Sequence, residues 1–223
     1  MVAPFFCYRE SVVTETKALR SDARRNRERL VASARELFAR EGVDASVEEI
    51  THHAGLGMGT LYRHFPTKDD LIDAVLEESF EEILAVARAG AEAEDAWEGF
   101  VSFLEHALEL HVENRGLKDI VASREHGAAR ADAMRLRLRP LVKQMVLRAQ
   151  EQGALRADFV PADLPLVFWS AGRVVEKTAD VARDSWRRYL GFLLDGLRAS
   201  AASPLPARPL TPAQIEQTNR KRA

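Results

Sequence analysis

Apolar positions recur at helical spacing along most of this chain. Leu30, Ala34, Leu37 and Phe38 fall at i, i+4, i+7 and i+8, which gives a helix one apolar face. Asp22 is placed to cap that helix and Gly42 to end it. Val47, Ile50 and Ala54 mark a second, short helix, and Ser46 and Glu49 have capping-box spacing at its start. Leu61 and Phe65 mark a third, equally short, which Pro66 closes. A fourth opens on another capping-box pattern, Thr67 to Asp70, and Leu71, Ile72, Val75, Leu76, Ile83 and Leu84 carry it past Glu78. The second and third helices are too short to be stable alone, so packing against the first and fourth must hold them.

Further helices are predicted at 93–113, 117–125, 128–152 with a break or kink at Pro140, 163–179 and 184–199. Between Ser21 and Ser200 only Pro66, Pro140, Pro161 and Pro165 interrupt, and no segment alternates with period two. The fold class is therefore all-α: an N-terminal three-helix helix-turn-helix domain joined to a larger helical bundle. The expected boundaries are a flexible leader at 1–20, the helix-turn-helix domain at 21–66, the bundle at 67–200 and a disordered tail at 201–223. Pro204, Pro206, Pro209 and Pro212 crowd that tail.

Composition narrows the class. The 223 residues are enough to bury a real core. Cys7 is the single cysteine, which excludes an intrachain disulfide and any multi-thiolate metal site and fits a reducing, cytoplasmic setting. No apolar run reaches the eighteen or so residues of a membrane span, and Met1 to Tyr8 makes a poor signal peptide, so no membrane partner is expected. The formal net charge of −2, from 32 Lys and Arg against 34 Asp and Glu, argues against a nucleic-acid partner only if the charge is evenly spread. It is not. Lys17, Arg20, Arg24, Arg25, Arg27 and Arg29 stand against Asp22 and Glu28 alone, whereas Glu77, Glu78, Glu81 and Glu82 open an acidic remainder. With Arg24 and Arg25 read as lying at a helix N-terminus, the wrong end for cations, either a phosphate backbone lies along them or they form a solvated face.

The segment from Ser46 to Lys68 carries the candidate chemistry. Two short helices flank a turn at Ala54, Gly55 and Leu56, where Gly55 supplies the left-handed conformation of a reversing chain. This is the pattern of a helix-turn-helix, whose second helix enters the DNA major groove. Thr60, Tyr62, Arg63 and His64 give that helix a hydrogen-bonding surface, and Gly59 removes a side chain where a backbone would approach DNA. Lys68 opposes the macrodipole at the start of the fourth helix, a placement that a bound phosphate explains, as does a plain surface lysine.

These residues resemble a known family. Arg24 to Leu30, Ala34 to Phe38, Glu49-Ile50, Ala54-Gly55-Leu56, Gly59 to Phe65 and Lys68 to Leu71 resemble the DNA-binding domain of TetR-type transcriptional regulators over about 20–78. Gly153 to Asp158, Pro161 to Asp163, Trp186 to Leu190 and Leu193 to Leu197 are similar to the C-terminal domain of its SbtR-like branch. The resemblance implies a homodimer that binds a palindromic operator in double-stranded DNA and usually represses, with an unidentified small-molecule effector in the C-terminal ligand-binding and dimerisation domain. It implies that Ser46 contacts phosphate, that Met58, Gly59, Thr60 and Arg63 face bases or sugars, and that Tyr62, His64 and Lys68 hold phosphates. Met58 has no donor, so a thymine methyl is its natural target. Gly57 departs from the family, which often has Ser or another capping residue there.

Other constellations are weaker. Gly55-x-Gly57-x-Gly59 follows a helix rather than a strand and is no nucleotide loop. His52 and His53 are about 100° apart on a helix, and Glu105, His106 and Glu109 lack a second ligand-bearing segment, so neither a metal nor another cofactor is expected. No catalytic arrangement is evident, which leaves an all-helical small-molecule carrier or enzyme as the alternative class. Trp97, Phe100, Phe103, Phe168 and Trp169 are either plain core or the lining of a ligand cavity. Arg173 either meets an acidic partner at a dimer seam or anchors an acidic ligand. The stripe of Trp186, Tyr189, Leu190, Leu193 and Leu197 is either core or a face shared with a dimer interface.

Overall fold

The computed structural model describes residues 8–113 and 125–220. Nine α-helices are described: α1 (Tyr8–Glu41), α2 (Val47–Ala54), α3 (Met58–His64), α4 (Lys68–Glu92), α5 (Ala96–Glu113), α6 (Glu125–Glu151), α7 (Leu164–Thr178), α8 (Ser185–Leu197) and α9 (Pro212–Arg220). The expected helix at 117–125 falls almost wholly outside the described residues. The all-α expectation holds among those described; one isolated bridge, Leu155 with Arg198, is the β-type pairing present.

Contacts divide the chain between Glu77 and Glu78, inside α4, rather than between 66 and 67. The residues of α4 explain the shift. Leu71, Ile72 and Val75 are as deeply buried as the core of α1 to α3, so the first turns of α4 belong to the N-terminal unit. That unit is built on Leu30, Val31, Ala34, Leu37 and Phe38 of α1, with Ile50 and Ala54 of α2 and Leu61 of α3.

Two other expectations need correction. Helix α1 begins at Tyr8, not near Asp22, so Asp22 is no cap but pairs with Arg25 one turn on. Arg24 and Arg25 are thus well inside a 34-residue helix, and the macrodipole argument for a phosphate beside them lapses. Gly42 does end α1, at φ 72°. At the other end, part of the expected disordered tail is helical. Thr211 caps α9, accepting from the backbone N–H of Gln214 at 3.3 Å while the Gln214 amide oxygen accepts from the Thr211 N–H at 2.8 Å.

In the C-terminal unit, α4 from Ile83 on, α5, α6, α7 and α8 surround one core. Phe100 meets Phe159 edge-on at 5.8 Å and Phe103 meets Phe168 at 6.2 Å. Helix α6 runs unbroken through Pro140. Its residues Gln144 and Arg148, with Gln152 just past its end, are spaced four apart and staple the α4–α5 turn. Gln144 and Arg148 donate to Ala91 O at 3.1 and 2.6 Å, while Gln152 donates to Glu94 O and accepts from Ala96 N, both at 2.9 Å. The open ends of two helices are satisfied by one face of a third.

Arg156 makes the second staple. It is 7% exposed, and its guanidinium donates to Asp158, to Gly196 O at 3.0 Å and to Ser203 O at 2.5 Å, tying the loop after α6 to the end of α8 and the start of the tail. Arg156 in turn holds the Asp158 carboxyl below the usual carboxylate range.

The tightest packing is between backbones. A Cβ on Gly99 would lie 2.4 Å from Gly90 O, and one on Gly90 would lie 2.7 Å from Gly99 O. Gly99→Ala should therefore destabilise the protein by about 3 kcal/mol, lowering the melting temperature by roughly 6–12 °C in thermal unfolding followed by circular dichroism. An unchanged melting temperature would show that the two helices can separate at no cost.

Candidate nucleic-acid interface

The two short helices are set by their caps. The Ser46 hydroxyl accepts from Glu49 N at 3.1 Å and the Glu49 carboxylate accepts from Ser46 N at 2.9 Å, the capping box read from the sequence. These bonds from Ser46, aided by the charge of Lys68, hold the Glu49 carboxyl below its ordinary range. The Ser46 hydroxyl also donates to Glu49 Oε2 at 2.8 Å, so its proton is engaged within the cap.

Gly55 closes α2 in the left-handed conformation, φ 61° and ψ 37°, with its N–H bonded to His52 O at 3.0 Å and the Leu56 N–H to Thr51 O at 2.9 Å. Arg29 of α1 completes the turn by donating to Ala54 O at 2.5 Å. Backbone conformation calls for glycine there, and a Cβ would also stand 3.0 Å from that guanidinium, which would have to shift slightly.

Helix α3 is anchored by Leu61, fully buried, and followed by Phe65, 3% exposed. Gly57 is its N-cap, with φ −86° and no side-chain cap, as its departure from the family pattern implied. Outward lie Gly59, Tyr62 and Arg63, with Met58, Thr60 and His64 half-buried. The structure thus brings together on α3 and its flanks most of the residues assigned to DNA. Arg63 folds along its own helix, donating through Nε to Gly59 O at 3.2 Å and through an amino group to Thr60 Oγ1 at 3.1 Å. The Met58 sulfur sits 3.4 Å from the buried hydroxyl of Thr51, turned toward α2. Lys68 opens α4 beside Thr67, whose hydroxyl accepts from Asp70 N at 3.1 Å in a second capping box.

The basic cluster of α1 is more structural than its sequence implied. Arg27 stands 5.4 Å over the Phe65 ring, Arg29 caps α2, Arg24 lies 3.5 Å from Glu28, and Arg25 bonds Asp22. The capping role of Arg29 has no local signature, because its acceptor is 25 residues away.

In the other unit, Trp97, Phe100 and Phe103 are buried in the common core. Trp169 is half-buried, and Arg173 is exposed and bonded to Glu176 of its own helix at 3.0 Å. Arg173 is therefore not a core residue in need of a partner. Trp186 and Leu190 are 2% and 1% exposed, filling the chain's own core, while Tyr189, Leu193 and Leu197 border it. Phe192, 60% exposed on α8, and Leu166, 44% exposed on α7, are the large outward apolar groups the stripe did not include. Phe192 lies off the i, i+4, i+7 series that marked the core face.

Among the described residues no cluster of three His, Cys, Asp or Glu side chains is placed to hold a metal. His53 instead faces Glu36 at 3.5 Å, His106 bonds Ser102 O at 2.8 Å, and Glu109 pairs with Arg187. No described helix is long and apolar enough to cross a membrane.

Residues 30–75 match the profile for bacterial regulatory proteins of the tetR family, and residues 92–199 match that of the SbtR-like transcriptional regulator C-terminal domain. A TetR transcription regulatory protein from Mycobacterium vanbaalenii is 32% identical, with 81% of this chain and 99% of that one covered and a TM-score of 0.63. A TetR regulator from Streptomyces coelicolor has the same fold, with a TM-score of 0.63 over 77% of this chain and 98% of that one, at 24% identity. HTH-type transcriptional regulators of Staphylococcus aureus are 33% identical over 101 residues, a match that takes in 44% of this chain and only 55% of theirs. The chain belongs to the TetR family of bacterial regulatory proteins and carries an SbtR-like C-terminal domain.

Proposed function

We propose that the protein is a transcriptional regulator that binds double-stranded DNA as a homodimer, represses from a palindromic operator and is released by a small-molecule effector. Helix α3 enters the major groove, with Gly59, Thr60 and Arg63 facing the bases and Met58 meeting a thymine methyl once it turns outward. Tyr62, His64 and Lys68 hold phosphates, as does the start of α2 at Ser46, where the serine must give up its bond to Glu49. Arg24 and Arg25 are exposed but paired with Glu28 and Asp22, so they reach phosphates only by exchanging those partners. Two recognition helices in one dimer reach successive major grooves about 34 Å apart.

The observation that supports this best is Gly59. Its backbone is ordinary helix, and a Cβ there would meet nothing within 4 Å. Among the described residues nothing calls for glycine there, whereas a DNA backbone or base edge against α3 would. Gly59→Ala should keep or slightly raise the melting temperature yet weaken operator binding at least about tenfold in fluorescence anisotropy. Wild-type affinity in that variant would remove the close approach from the argument.

Lys68→Ala should weaken binding to all sequences alike and lower the slope of log affinity against log salt by about one, measured by titration at several salt concentrations. An unchanged slope would mean that Lys68 meets no phosphate.

The effector is proposed to enter the C-terminal unit beside Phe168, whose ring must part from Phe103 to admit it, with Trp97 and Phe100 as the core behind them. The dimer face is assigned to the outward sides of α7 and α8, with Leu166, Trp169 and Arg173 on one and Phe192 on the other. Tyr189, Leu193 and Leu197 flank it, while Trp186 and Leu190 support it from within. Phe192→Glu should leave helical content intact and shift the protein to monomers in sedimentation equilibrium. A variant that remains dimeric would place the interface elsewhere.

A further inference from the structure

Resting on the proposal that α3 reads the major groove, the chemistry of its side chains narrows what it can read. No Asp, Glu, Asn or Gln occurs between Glu49 and Asp69. The reading surface therefore has no carboxylate to accept from cytosine N4 and no carboxamide to pair with adenine. What it presents is a set of donors, held in place before any DNA arrives.

Arg63 donates through Nε to Gly59 O and through one amino group to Thr60 Oγ1, which fixes the guanidinium along the helix surface. Its other amino group makes no bond to a described residue. Arg63 takes one of the two acceptor positions of the Thr60 oxygen, so the hydroxyl keeps its proton to donate outward beside the guanidinium. Gly59 adds no side chain beside this pair, and a Cβ there would touch nothing, so the edge stays open. Several donors are thus grouped on one patch of α3, and Arg63 has lost much of its freedom before binding.

Only one base offers two adjacent acceptors in the major groove. Guanine shows N7 and O6, adenine pairs its N7 with an N6 donor, thymine shows O4 beside a methyl, and cytosine shows a donor. We infer that Arg63 and Thr60 together read a guanine in each half-site through N7 and O6. Thr60 is a specificity residue in two ways: it donates, and it orients the arginine that donates beside it.

The test is to select bound duplexes from a randomised pool with the full-length protein and with the Arg63→Gln and Thr60→Val variants, then modify the selected site. The wild type should enrich one guanine at the same place in each half-site. Replacing that guanine with 7-deazaguanine, which lacks the N7 acceptor, should weaken binding roughly ten- to a hundredfold, and inosine, which keeps N7 and O6, should bind as guanine does. Arg63→Gln should lose the guanine preference, and Thr60→Val should weaken it while binding to random duplex stays unchanged. Both side chains reach solvent, and unchanged melting temperatures would confirm that the variants fold.

Sequence-selective binding without a shared guanine, or with a guanine preference that survives Arg63→Gln, would overturn the inference and leave the DNA-binding reading standing. Equal losses with inosine and 7-deazaguanine would also overturn it. Failure to select any duplex at low salt would overturn both readings.

Discussion

The left-handed turn at Gly55, clamped by Arg29, is the constraint on which the placement of α3 depends. Helix α3 has seven residues and cannot persist by its own hydrogen bonds. It exists because Leu61 and Phe65 are buried and because the turn delivers it to α1 at one angle. Arg29 makes that turn rigid by satisfying a helix-end carbonyl that would otherwise need water. Glycine tolerates both the positive φ and the nearby guanidinium, so backbone geometry and side-chain capping converge on one residue. The polar face of α3 is then free to serve a ligand, because none of its groups is needed to hold the fold.

A related economy governs the C-terminal unit. Gly90 and Gly99 let two helices meet backbone to backbone, and the staple of Gln144, Arg148 and Gln152 satisfies the groups exposed at their ends. Arg156 does the same for the loop after α6 and the end of α8. In each place a long polar side chain reaches a backbone atom far away in sequence and satisfies a group that a helix end leaves open.

Charge shows how far composition misleads. A net charge of −2 hides a basic segment at the N-terminus, but that segment is itself partly spent on structure. Arg27 and Arg29 brace the helix-turn-helix, and Arg24 and Arg25 have acidic neighbours on their own helix. A residue's sign of charge alone therefore does not say whether it serves a ligand or the fold.

Local pattern alone carried the helix class, both capping boxes and the Gly55 turn, because each depends on neighbours within four positions in the chain. It failed where partners are distant. The start of α1 was misplaced because a plausible cap at Asp22 is bonded inside a longer helix. The boundary in α4 moved because burial of Leu71, Ile72 and Val75, not the helix break at Pro66, decides which unit they join. The aromatic stripe on α8 divided into core at Trp186 and Leu190 and a separate outward Phe192, since periodicity locates a face but not what covers it. Arg29, Gln144, Gln152 and Arg156 gave no sign of their roles, as a side chain bonding to a remote backbone atom leaves no local pattern. Spacing settles what a residue can form with its neighbours; only the packed chain decides which distant group it meets.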